Sequence, residues 1–444
     1  MLIEYSVENF RSIAEKTTFS MVPSRERLKS GNLINLDNFP KIKKLLKSTV
    51  IYGANASGKT NIILALAIMK NIIITSKGKN SGDKFIEYTP FVLDNYHPNQ
   101  PISFEIHFIQ GDTEYKYSFS FNSERILSEE LYYYNNKREI PFFKRKLDDF
   151  EPFVDHEELK NLFRNTGINV LFLSKANNEY KKFGPIFGWF SNNLDAIGPM
   201  LGFGFNFQAT IDYMNQSEEN KQKVLNLMHY ADFDICDISG KNILIDNNME
   251  SSKIFKDLIM SITSEVNKKV SLENKVDISG VKNSMDKVQF SPTRVPELKS
   301  IRKKIDGSII TKDFVQFESS GTTQFFNIVG LWLRALQEES RVIIIDEFDT
   351  RLHPDLQYYL IKLFQNPEIN QKNSQLIFTS HNTRLLSTDL FRRDQIVFTE
   401  KNPETKSTEL YSLYDYEKRQ DRSIEKSYFQ GRYGAIPDLT LGKI

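Results

Sequence analysis

The stretch Ile51-Tyr52-Gly53-Ala54-Asn55-Ala56-Ser57-Gly58-Lys59-Thr60-Asn61-Ile62 decides how the rest of the chain is read. From Gly53 to Thr60 it runs glycine, four free positions, glycine, lysine, hydroxyl residue, which is the spacing of a phosphate-binding loop. The glycines let backbone N–H groups turn inward around a β-phosphate, and the helix that follows points its positive end at the same place. Lys59 is then the bridge between β- and γ-phosphates, and the Thr60 hydroxyl a ligand of Mg²⁺. The run Gly53, Ala54, Asn55, Ala56, Ser57, Gly58, Lys59, Thr60 and Asn61 is the expected site for a nucleoside triphosphate with Mg²⁺. Apolar Ser48–Tyr52 before the loop reads as a strand. Ile62, Ile63, Leu66 and Met69 after it recur at helical spacing.

Three later segments complete the chemistry. Arg341–Glu347, "RVIIIDE", is a buried aliphatic strand ending in two carboxylates. Asp346 suits Mg²⁺, and Glu347 suits the general base that polarises an attacking water. "SQLIFTSH" ends a further apolar strand at His381, whose neutral imidazole can reach a γ-phosphate or that water. Glu318–Phe326, "ESSGTTQFF", opens an apolar helix, so Ser320, Gly321 and Thr322 offer N–H and hydroxyl groups to an anion. A plain helix cap at Ser320 explains that segment equally well. Short patterns of guanine-binding switches also occur, Asp237–Gly240 ("DISG") and Asn274–Asp277 ("NKVD"), but neither follows a buried apolar strand.

The 444 residues allow two or three domains, and 40% apolar with 26% charged residues is a globular composition. The 58 basic and 57 acidic residues nearly cancel, which leaves no overall pull toward nucleic acid or membrane. A single cysteine, Cys236, excludes an intramolecular disulfide. The first residues lack a signal-peptide layout, and "IILALAIMKNIII" is too short and too interrupted to span a bilayer. The expected location is the cytoplasm, with no membrane partner.

The expected fold is α/β. Residues 1–148 form an N-terminal lobe with the loop and an antiparallel sheet, because "ISFEIHF", "EYKYSFSF" and "ILSEELYYY" alternate with period two. Residues 149–312 read as a mainly helical insertion with one buried strand at Asn169–Ser174, and 313–444 as a C-terminal lobe of parallel strands with crossover helices.

Loop, serine–glycine segment, carboxylate strand and histidine occur in that order, and together they resemble an ABC-type ATPase head, a P-loop core with an antiparallel β subdomain. Within that class the chain is similar to the SMC, RecF and OLD branch, and further to the stand-alone AAA-family ATPases of AbiL-type and PARIS-type phage-defence systems. "VENFRS", "DEFDTRLHP", "SHN", "FRRDQIVFTEK" and "YFQGRYGAIPDL" carry that likeness. The resemblance implies a nucleotide-sandwich homodimer in which Ser320, Gly321 and Thr322 act in trans, with Asp349 in the loop coupling the two sites. It also places Arg11 near the phosphates. Two departures stand out: Ser320 replaces the signature's usual glycine, and a threonine replaces its final glutamine. No clear glutamine loop precedes the insertion; the end of "NVLFLS" is the nearest candidate. OLD-family relatives add a nuclease, but 63 residues follow His381 and hold no carboxylate cluster, so no nuclease activity is expected.

Two functions follow from this reading. One is an ATP-driven switch regulating a partner effector encoded nearby, with the aromatic tail "SYFQGRYGAI" as a docking surface. The other is a RecF- or SMC-like ATPase that binds DNA through runs such as Lys41–Lys47 and Leu298–Lys304. Both require the loop to hold nucleotide. Lys59→Ala should abolish binding of a fluorescent ATP analogue; unchanged affinity would remove the assignment.

Overall fold

Alternation of apolar and polar residues builds the larger of the main sheets. The computed structural model describes residues 1–135, 138–198, 207–231, 233–245, 293–416 and 423–436. Its contacts divide the chain into one unit of Met1–Phe205 with Trp332–Ile444, and a second of Asn206–Leu331.

In the first unit, seven antiparallel strands run in the order Asp149–Pro152, Arg138–Lys146, Ile126–Asn135, Thr113–Phe121, Ile102–Gln110, Leu2–Glu8, Thr17–Ser20. Phe104, Ile106, Phe108, Tyr117, Phe119 and Phe121 are buried on one face, as the period-two pattern requires. Phe104 lies opposite Phe119 with ring centroids 5.6 Å apart, a cross-strand pair worth ~0.2–1 kcal/mol.

Behind it lies a six-stranded sheet in the order Leu194–Ile197, Val342–Ile345, Gln375–Thr379, Ser48–Gly53, Ile396–Lys401, Thr408–Ser412. The first five strands are parallel and the last is antiparallel. Val342–Ile345 and Gln375–Thr379 are wholly buried, which is why they read as unbroken apolar runs rather than alternating ones. The helix Lys59–Thr75 follows the phosphate loop and buries Ile62, Ile63, Leu66, Met69, Ile72 and Ile73. Lys59–Gly78 is long and apolar enough to cross a membrane, and 56% of that window is buried inside this core. The α/β head expected from the sequence, a P-loop core with an antiparallel β subdomain, is the architecture this strand order produces.

Gln375 fastens the two sheets together. Its buried amide donates to Leu2 O at 3.0 Å and Leu46 O at 3.2 Å, and its Oε1 accepts from Leu2 N at 2.6 Å. The FRRDQ segment is a second seam. Arg392 donates to both carboxylate oxygens of Asp394 and to the carbonyls of Glu26 and Leu28, while Arg393 Nε donates to Glu26 at 3.1 Å. These arginines are buried and hold residues 24–28 to the core.

The run Asn169–Ser174, expected as a strand, contains the start of a helix, Phe172–Ala176. Glu129, from a strand forty residues upstream, explains the difference. Its fully buried carboxylate accepts from Phe172 N at 2.7 Å, Leu173 N at 2.9 Å and the Tyr117 hydroxyl at 2.9 Å, with Arg145 at 3.6 Å. A carboxylate on two first-turn N–H groups stabilises a helix start that local sequence does not encode. In the same segment Asn169 and Ser174 are hydrogen-bonded to residues 77–83.

The second unit carries helices Gln208–Gln216 and Glu218–Tyr230 and a three-stranded antiparallel sheet of Asp237–Ile245, Thr293–Lys303 and Ile309–Asp313. The stretch expected to be mainly helical thus contains these strands. Asp237–Gly240 opens the first of them, and the second guanine-type pattern, at 274–277, lies outside the described residues. Residues 246–292, within the stretch expected to be mainly helical, lie outside them too.

The aromatic tail is largely core. Tyr428 and Tyr433 are buried and both stack on Phe398, at 5.7 Å, while Phe429 stays exposed. Of these contacts the Glu129 cluster concentrates the most buried polarity, so Glu129→Ala should cost about 3–5 kcal/mol, as for breaking a buried pair. The midpoint of denaturant unfolding measures this; a loss below about 1 kcal/mol would contradict the capping role.

Candidate functional site

The phosphate loop leaves the C-terminal end of Ser48–Gly53, the fourth strand of the parallel sheet, and enters the helix at Lys59. Ala56 and Gly58 take positive φ, 63° and 107°, which turns the backbone back on itself. Gly58 offers no side chain to cap the helix, so the first-turn N–H groups are left to an anion. Asn55 and Ala56 are exposed at the loop tip, whereas Gly53, Ser57, Gly58 and Lys59 are buried.

The wall that holds this shape comes from the far end of the sequence. Ser57 Oγ and Thr399 Oγ1 are 2.7 Å apart, and Thr408 Oγ1 donates to Ser57 O at 3.0 Å. A Cβ built on Gly58 would stand 2.2 Å from Thr408 Oγ1, and one on Gly53 would stand 2.5 Å from Thr399 O. The hydrogen-bond chain continues outward: Asn61 Nδ2 reaches Ser12 Oγ at 2.7 Å, and Ser12 Oγ lies 2.8 Å from Thr408 Oγ1. Arg11, next to Ser12, is exposed in a turn at φ 52°, its N–H bonded to Thr89 O. That turn is fastened to the start of the loop helix through Ser12 and Asn61, although the guanidinium lies over Phe10 rather than on the loop.

Lys59 Nζ donates to Gly53 O at 2.8 Å and Ala54 O at 3.0 Å, so the ammonium lies inside its own loop. Burial pulls its pKa below the usual lysine range, while Asp346, Asp349 and Glu347 pull it back up. Those carboxylates are brought alongside by strand order. Val342–Ile345 ends in Asp346, and Gln375–Thr379 lies between it and the loop strand. Thr60 Oγ1 donates to Asp346 Oδ1 at 3.3 Å, and Thr379 Oγ1 donates to the same oxygen at 2.7 Å. The Thr379 hydroxyl also accepts from Glu347 N at 2.7 Å. Glu347 has φ 55°, a conformation unusual for a non-glycine residue and frequent where function demands it. Its carboxylate accepts from the Thr350 hydroxyl at 3.3 Å.

His381 follows the middle strand. Its backbone N–H donates to both Asp349 oxygens at 3.1 Å, and Asp349 O in turn accepts from Gln357 at 3.3 Å. Desolvation, then the positive charge of Lys59, hold its imidazole below the ordinary histidine range, so the ring is neutral at neutral pH. Lys59, Thr60, Asp346, Glu347, Asp349 and His381 are therefore one electrostatic cluster at one end of one sheet.

The serine–glycine segment belongs to the second unit. Ser319 is its helix cap, since Thr322 N donates to Ser319 Oγ at 3.1 Å. The Thr322 hydroxyl is 2.8 Å from that same oxygen and is buried, whereas Ser320 is exposed and Gly321 half-buried. Glu318, just before, is clamped by Arg302 through two hydrogen bonds of 3.2 and 2.6 Å.

The pair Thr60 and Asp346 fits Mg²⁺. It supplies one hydroxyl and one carboxylate at the mouth of a backbone cradle, and Mg²⁺ is characteristically held by one or two carboxylates plus phosphate oxygens. Among the described residues no group of three or more His, Cys, Asp or Glu could hold a metal alone. Sequence reasoning missed Thr379, Thr399, Thr408 and Ser12. Only Thr379 left a signal, a hydroxyl two residues before the histidine at the strand end.

If the cradle is set by close approach, Gly58→Ala should disrupt it. The strain of a non-glycine residue there, about 1–3 kcal/mol, predicts nucleotide affinity weaker by about ten- to hundredfold in a titration.

Residues 48–387 match a family described as "AAA domain, putative AbiEii toxin, Type IV TA system". The chain is 21% identical to a Vibrio cholerae (serotype O1 biovar El Tor) protein named "Retron Vc95 probable ATPase", across 82% of this chain and 71% of that one. Among solved structures it is similar to the SMC head domain from Thermotoga maritima, with 14% identity, 93% and 98% of the two chains covered, and a TM-score of 0.38. It is also similar to an SMC head bound to the C-terminal winged-helix domain of ScpA, with 13% identity, 96% and 99% covered, and a TM-score of 0.38. The family match bears out the resemblance to AAA-type ATPases drawn from the motifs, and it spans the phosphate loop, the carboxylate pair and the histidine together. The chain belongs to this AAA-domain family, the one described as "putative AbiEii toxin, Type IV TA system".

Proposed function

We propose that the chain is a cytoplasmic, ATP-hydrolysing molecular switch that dimerises around nucleotide and regulates a partner effector in bacterial phage defence. The observation that carries this reading is the convergence of Lys59, Thr60 and Asp346 at the helix start, with Glu347 and His381 at adjoining strand ends.

In this scheme the loop N–H groups and Lys59 bind the β- and γ-phosphates, with Lys59 leaving its own carbonyls for the ligand. Mg²⁺, held by Thr60 and Asp346, would neutralise phosphate charge and orient the γ-phosphate. Glu347 takes the proton of the attacking water, and neutral His381 can accept or donate a hydrogen bond beside it without adding charge. Exposed Ser320 and half-buried Gly321 act across the dimer on the partner's nucleotide, while Thr322 shapes the turn. Asp349, fixed to the His381 backbone, ties the coupling loop to the hydrolytic end of the sheet.

Similarity to a retron's ATPase and to a family described by a toxin–antitoxin system supports work with a second component. The DNA-binding alternative draws little from the basic run Leu298–Lys304, where Lys299 pairs with Glu297 and Arg302 with Glu318. Arg392 and Arg393 are likewise engaged internally.

Glu347→Gln should retain nucleotide binding, slow turnover by about a hundredfold or more as loss of a general base does, and accumulate a dimer with MgATP. Light scattering coupled to size exclusion reads the dimer. A variant that stays monomeric at high concentration with MgATP would contradict the sandwich.

A further inference from the structure

One residue at this site belongs to no motif. Thr379 is 1% exposed, at the end of the strand that lies between the loop strand and the carboxylate strand. Its hydroxyl makes two hydrogen bonds of 2.7 Å in opposite senses, donating to Asp346 Oδ1 and accepting from Glu347 N. A hydroxyl has one proton, and here it is committed to the carboxylate because the backbone amide can only donate. The backbone is coupled as well, since Phe348 N donates to Thr379 O at 3.1 Å.

We propose that Thr379 is a positioning residue that sets the metal-ligand carboxylate and the general-base residue with a single hydroxyl. The inference rests on the ATPase reading above. Two consequences follow from the geometry. With Thr379 and Thr60 both donating to Oδ1, the Asp346 carboxylate is turned by two neutral donors rather than by a cation, which preserves its charge for a metal. The hydrogen bond that the Glu347 N–H donates to Thr379 also holds Glu347 at φ 55°, a backbone state that a non-glycine residue keeps only when its surroundings fix it. A hydrophobic residue of the same shape would serve the strand equally well, because the rest of Gln375–Thr379 is buried and pairs through its backbone. The hydroxyl is therefore the informative part of the side chain. Partners that orient a metal ligand without touching the metal typically change metal affinity or activity by about 10–100-fold when removed.

The test is Thr379→Val, which keeps volume and β-branching, against Thr379→Ser, which restores the hydroxyl. Binding of a fluorescent ATP analogue is titrated in EDTA and again over a Mg²⁺ series, and Mn²⁺ occupancy with ADP is read by electron paramagnetic resonance. Affinity in EDTA should match wild type in both variants. The metal-dependent gain in affinity and the Mn²⁺ occupancy should fall by about tenfold or more in the valine variant and return to within about threefold in the serine variant. kcat should fall with them, while KM at saturating metal changes little. In an Asp346→Asn background the valine substitution should add nothing to the loss of metal affinity, because the two act as one unit. Thr379→Cys, with only a weak S–H donor, replaces the valine variant if that chain does not fold, and must show the same loss. A valine or cysteine variant with wild-type metal dependence and kcat overturns the proposal, as does additivity with Asp346→Asn. Failure of the wild-type chain to bind nucleotide at all is a different result, and would overturn the ATPase reading instead.

Discussion

The phosphate loop must keep Ala56 and Gly58 at positive φ, and everything functional depends on that constraint. A loop that presents backbone N–H groups inward has no regular hydrogen-bond ladder to stabilise it, so its shape must be imposed from outside. Here Thr399 and Thr408, from the last two strands of the six-stranded sheet, bond to Ser57 and crowd Gly53 and Gly58. The same Thr408 extends through Ser12 to Asn61, so the first strand pair of the antiparallel sheet is tied to the helix that begins at Lys59. One set of hydroxyls thus joins residues from both ends of the chain around the phosphate site.

A second consequence concerns charge. Lys59 and His381 sit among Asp346, Glu347 and Asp349, and both are pulled toward their neutral forms first by burial. The acids oppose that tendency at both groups. A ligand bringing several negative charges would favour the charged lysine strongly, which makes the ammonium's present seat on Gly53 O and Ala54 O readily exchanged. Burial first, and then the same lysine, lower the His381 pKa, and its place beside Asp349 comes from backbone geometry and not from an ion pair.

How much of this was legible in the sequence depends on the distance over which each feature is determined. Gly53–Thr60, the carboxylates after Val342–Ile345, and the period-two strands from Ile102 are local patterns, and each could be read directly. Phe172–Ala176 was not, because the apolar run around it is consistent with a strand until Glu129 supplies a helix cap from another sheet. The strand Asp237–Ile245 bunches its apolar residues at its end, and Thr293–Lys303 carries Pro296, so neither shows the alternation of a half-buried sheet. Arg392 and Arg393 resemble an exposed basic pair until Glu26 and Asp394 are seen to enclose them. Thr399 and Thr408 look like ordinary strand residues, since nothing local says that their hydroxyls face a glycine loop more than three hundred positions away.

The most direct measurement is a crystal structure of the chain grown with Mg²⁺ and a non-hydrolysable ATP analogue. The account predicts phosphates inside Gly53–Thr60, Lys59 Nζ moved from the loop carbonyls onto them, and the metal between Thr60 and Asp346. Nucleotide bound elsewhere, or a Lys59 still seated on Gly53 O with the ligand present, would contradict it.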